Sequence, residues 1–137
     1  MWAVYALFSA LFAALTSILG KIGVENVNSN LATAIRTVVV LVLAWAIVFA
    51  TRVHGAITEI SRRSLLFLVL SGIATGLSWL CYYRALQMGP ASRVIPIDKS
   101  SVVFGMILAF IVLRETLTVK AIIGGSLIAI GTFVLIF

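Results

Sequence analysis

The stretch that most constrains this chain is Ser64–Tyr83, a run of 20 residues without a charge, closed by Arg84. Trp2–Gly20 is a second uncharged run of similar length, ending where Lys21 opens a polar stretch. A helix needs roughly 20 apolar residues to cross the hydrocarbon layer of a bilayer. A soluble fold would have to bury both runs in a core, and a chain of 137 residues has too much surface for its volume to do that. Only 10% of its residues are charged, against roughly 25% in soluble domains. Its surface is therefore apolar, and its partner is the lipid bilayer. Transmembrane β-strands are short and alternate in polarity, whereas these runs are continuous. The sequence predicts an all-α integral membrane protein.

Five spans follow, at about 2–20, 31–51, 64–84, 91–113 and 119–137, giving a five-transmembrane-helix bundle in one domain. No Lys or Arg precedes Trp2 and the first run has span length, so it reads as a retained helix and not as a signal peptide. Asn26–Asn30 forms the first connection, with Asn28, Ser29 or Asn30 as N-cap of the second helix. Gly89-Pro90 predicts a tight turn in which glycine supplies a positive φ. The fourth span is the weak one. Its uncharged part, Ser100–Leu113, has 14 residues, and extending it back to Ala91 takes in Arg93, Pro96, Asp98 and Lys99. Four spans plus a re-entrant segment is the alternative.

Small residues mark the faces that meet protein, because in lipid they permit close backbone approach. Ser9, Ala13, Thr16 and Gly20 share a face of the first helix, and Gly125, Ala129 and Thr132 one of the fifth. Gly72, Gly76, Gly105 and Gly125 are the expected helix-packing glycines. The polar faces of the third and fourth helices serve equally well as packing seams or as walls of a cavity.

The net charge of +6 does not point to nucleic acid, because the basic residues are scattered and form no patch. Cys81 is the only cysteine and His54 the only histidine, so no metal site and no cofactor are expected. Cys81 reads as a small buried side chain. No paired acids, Cys–His pair or phosphate-binding loop is present, and no enzyme activity is expected.

Ionisable groups at membrane depth cost roughly 2.5–3.5 kcal/mol each and normally face an interior or water. Arg36 and Arg84 are able to snorkel to an interface. Asp98 is too short for that and needs a partner: Lys99, Arg93, Arg84 or Arg36. The Asp98 charge either fixes helix register in an ion pair or belongs to a substrate or proton site. Pro96, two residues earlier, frees a backbone carbonyl, as broken transporter helices do.

Five Lys and Arg flank the spans on each side, counted whole. With Arg36, Arg84 and Lys99 set aside as embedded, the tally becomes five against two and favours a cytoplasmic N-terminus. The first count suits a chain inserting in both orientations. Two inverted copies of an odd-numbered unit would reproduce the inverted-repeat architecture of secondary transporters.

Several short strings occur in a recognisable order: Arg36 early in the second span, Tyr82-Tyr83-Arg84-Ala85-Leu86, Gly89-Pro90-Ala91-Ser92, Arg114-Glu115-Thr116-Leu117-Thr118, and Gly124, Gly125 and Gly131 in the last span. In that order the chain resembles the EamA domain of the drug/metabolite transporter superfamily over nearly its full length. The resemblance implies half of a ten-helix inverted-repeat transporter that moves small metabolites, here as an antiparallel homodimer working by alternating access in the plasma or inner membrane. Arg36, Arg84, Asp98 and Lys99 would border the path, with Trp79, Tyr82 and Tyr83 as aromatic walls. With Arg93 counted, four cations (Arg36, Arg84, Arg93 and Lys99) against one acid would suit an anionic or zwitterionic substrate. The alternatives are an accessory membrane subunit that moves nothing and a lipid-linked sugar flippase subunit.

Overall fold

The computed structural model describes residues 1–136. All its long elements are helices: α1 (Trp2–Gly23), α2 (Ser29–Ala50), α3 (Arg62–Met88), α4 (Ala91–Lys99), α5 (Ser101–Val112) and α6 (Val119–Ile136). A 3-10 turn, His54–Glu59, lies between α2 and α3. Taking α4 and α5 as one span, five helices are long and apolar enough to cross a membrane. Leu, Val, Ile and Phe side chains stand exposed along all five. That is the arrangement lipid requires, where every backbone polar group is satisfied within its helix.

The helix ends follow local chemistry. Of the three N-cap candidates Asn28 takes the role, its Oδ1 accepting from the Asn30 amide at 2.9 Å. At the far end of α2, Arg52 adopts φ 57°. Its amide donates to the Phe49 carbonyl at 3.1 Å and the Val53 amide to Val48 at 3.2 Å, the paired bonds of a Schellman cap. Arg114 takes the same left-handed conformation, φ 56°, after α5. No described glycine has a positive φ, so the expected left-handed Gly89 is corrected. Pro90 itself, at φ −68° and ψ 136°, redirects the chain and caps α4.

The fourth span is helical from end to end but broken at Ser100. Pro96 has no amide hydrogen and interrupts the ladder of α4. The Ser100 amide and hydroxyl both turn back to the Ile97 carbonyl, at 3.0 and 2.6 Å. The next helix then starts afresh, with the Val103 amide on the Ser100 carbonyl at 2.9 Å.

The backbone forms two compact units. One is Ile18–Met88; the other joins Met1–Ser17 with the chain from Gly89 onward. In the first, α2 packs along α3, and Val24, Tyr83 and Leu86 are its buried apolar side chains. In the second, α6 packs on α4 and α5. There Gly125 is buried beside Met106, whose Sδ and Cε would lie 3.1 Å from an added Cβ. At Gly72, Gly76 and Gly105 such a Cβ meets nothing within 4 Å among the described residues beyond its own stretch of helix. Cys81 is exposed, which corrects its reading as buried: a thiol in an apolar run is free to face lipid.

Candidate functional site

Trp79 and Tyr83 are four residues apart and so share one face of α3. That face meets α2 where Arg36 projects. The Arg36 Cζ lies 4.1 Å from the Trp79 ring centroid and 5.3 Å from that of Tyr83. Both distances are within cation–π range. Tyr83 is only 3% exposed, while Arg36 and Trp79 are half-buried. Tyr82 meets Tyr83 edge-on, with centroids 5.9 Å apart and planes at 82°.

Tyr83 owes its place to a missing side chain. A Cβ on Gly20 would lie 2.9 Å from the Tyr83 hydroxyl oxygen and 3.1 Å from its ring. The glycine therefore seats the ring against α1 and holds it under the guanidinium.

The end of α3 is fastened by polar side chains that the sequence did not single out. Gln87 Nε2 donates to the carbonyls of Val27 at 2.9 Å and Val24 at 3.2 Å. Its Oε1 accepts from Arg84 Nη1 at 2.9 Å. Lys21 Nζ donates to the Leu86 carbonyl at 2.6 Å. Lys21 thus lies inside α1, which runs on past Gly20 to Gly23.

Four of the seven path candidates, Arg36, Trp79, Tyr82 and Tyr83, therefore form one cluster. Arg84 is exposed and engaged with Gln87. Asp98 and Lys99 lie in the other unit and pair with each other at 3.5 Å, at 36% and 51% exposure. In the same unit, the Thr132 hydroxyl donates to the Pro96 carbonyl at 3.4 Å. Among the described residues no three His, Cys, Asp or Glu side chains are grouped to hold a metal ion.

Five apolar helices and a half-buried guanidinium seated on aromatic rings define a small multi-pass membrane protein with a polar site in its helical region. The chain belongs to the EamA-like transporter family, whose pattern it matches over residues 1–137, and it is accordingly a membrane transporter. It is 48% identical over 134 residues to a protein of Sinorhizobium sp. named as an uncharacterized transporter in the cobO 3′ region, covering 98% of this chain and 95% of that one. It is 32% identical over 74 residues to an uncharacterized protein of Methanocaldococcus jannaschii, 54% of each chain. No solved structure matches it.

Proposed function

We propose that the chain carries small metabolites across a plasma or inner membrane as an antiparallel homodimer working by alternating access. The observation that carries this reading is the Arg36 guanidinium on Trp79 and Tyr83. A charge placed among apolar helices is costly unless it serves a partner or a path. The odd number of spans supports the dimer, since a second, inverted copy supplies the missing half. Gly72, Gly76 and Gly105, open on this chain, suit close approach by that copy. Tyr82 completes the aromatic wall and Arg84 lines the approach to the path, while Asp98 and Lys99 are path candidates of the other unit.

The test is release of metabolites from proteoliposomes loaded with a cell extract, read by mass spectrometry against empty liposomes. Wild-type protein releases a restricted set, and Arg36→Ala at equal reconstitution does not. Release that is unselective, or unchanged in Arg36→Ala, removes the reading. Orientation is read in parallel from Asn26→Cys in a Cys81→Ala background, labelled by an impermeant maleimide on intact cells. Half-labelling is expected of dual insertion; complete or absent labelling excludes the antiparallel pair.

A further inference from the structure

We infer that the open edge of the Arg36 guanidinium receives a monovalent carboxylate, which makes a carboxylate-bearing molecule the substrate class of the proposed transporter. The inference rests on that transport reading for its biological sense, but the site itself stands on geometry. A guanidinium is planar, with its charge spread over the plane and its five N–H donors directed outward along the rim. Trp79 and Tyr83, at 4.1 and 5.3 Å, engage its charge through ring faces and use none of those donors. No hydrogen bond or ion pair from this side chain to another described residue is formed. The group is half-buried, seven residues into α2, or about 10 Å along the helix axis.

Among the described residues, no acidic side chain supplies the missing anion. The chain has four acidic residues. Glu25, Glu59 and Glu115 lie in connections between helices, and Asp98 pairs with Lys99. A half-buried charge with no counter-charge is unfavourable, so an anion from outside has a ready site.

The donor geometry sets its kind. Lys21 and Arg84 keep their charges but direct donors to the Leu86 carbonyl and to Gln87, so the Arg36 rim is the donor set presented at the rings. A carboxylate neutralises this one guanidinium and matches its fork with two parallel hydrogen bonds. A doubly charged phosphate carries a second charge that Arg36 alone does not balance.

The experiment uses the full chain with Trp2→Phe and Trp45→Phe, so that Trp79, of three tryptophans, alone reports. Benzoate and isobutyrate are titrated beside the uncharged benzamide and isobutyramide, in a phosphate-free maltoside and in phosphatidylglycerol nanodiscs. Both acids are expected to change Trp79 emission saturably, and the amides to bind about tenfold or more weakly. Arg36→Gln loses the response. Arg36→Lys, which keeps the charge without the fork, falls between, and the variants are compared at matched circular dichroism.

Equal response to acids and amides overturns the inference, as does no response to either acid, or a response surviving in Arg36→Gln. Binding seen in maltoside and abolished in phosphatidylglycerol assigns the rim to a lipid headgroup and overturns it too. The readout is separable from transport. Acid binding without metabolite release keeps the site and removes the transporter. Arg36-dependent metabolite release with no acid-dependent change in Trp79 emission does the reverse.

Discussion

The unit Ile18–Met88 and the segment from Gly89 onward handle polar groups in opposite ways. In the first, a lone cation is covered by two rings, and an amide and an ammonium reach across to backbone carbonyls sixty or more residues away in sequence. In the second, Asp98 is neutralised by its own neighbour, and the break in the fourth span is closed by the Ser100 amide and hydroxyl on the Ile97 carbonyl three residues back. The first arrangement depends on distant groups and leaves its charge available. The second is local and closes on itself. Charge at membrane depth therefore does not by itself mark a site; what matters is whether the chain has already answered it.

Substitutions that break one arrangement and spare the other sharpen this contrast. The largest effect is expected at Gly20→Leu, which drives carbon into the Tyr83 ring. Overpacking of this kind costs about 1–3 kcal/mol. In detergent, thermal unfolding should drop by several degrees, with loss of the Trp79 environment. Gly131→Leu, where an added Cβ meets nothing within 4 Å, is the control, and an equal loss there would refute the seating role of Gly20.

Gln87→Leu comes next. It strips donors from the Val24 and Val27 carbonyls, at roughly 1–2 kcal/mol for a part-buried site. Faster hydrogen exchange over 24–30 is the expected readout, and unchanged exchange would count against the fastening. Asp98→Asn should be smallest. An exposed ion pair contributes about 0.5 kcal/mol or less, so a large loss of stability would show that Asp98 has a partner beyond Lys99.

How far the sequence foretold this depends on the range of each interaction. The five spans were legible because hydropathy is a local property and the lipid demands it. The break in the fourth was signalled by Pro96, although its location at Ser100 depends on a hydroxyl choosing Ile97. Arg36, Trp79 and Tyr83 were each nameable as candidates. Their meeting was not, because it depends on the rotation of α2 against α3. The spacing of Trp79 and Tyr83 was the one available hint of a platform. Gln87 carried no signal at all, since its carbonyl partners lie in a connection that nothing in the pattern of α3 points to.

The lengths of the helices have a consequence for depth. α3, with 27 residues, is about 40 Å long, roughly 10 Å more than the hydrocarbon layer. Its last turn is held to the connection between α1 and α2 by Gln87, so part of the surplus stands at that face of the membrane. Arg36 is then shallow, about 10 Å from one end of α2 and about 21 Å from the other. A single copy thus offers its receptor near one leaflet. An inverted second copy would offer another near the opposite leaflet, leaving on the order of 10 Å of hydrocarbon between two stations in place of one central site.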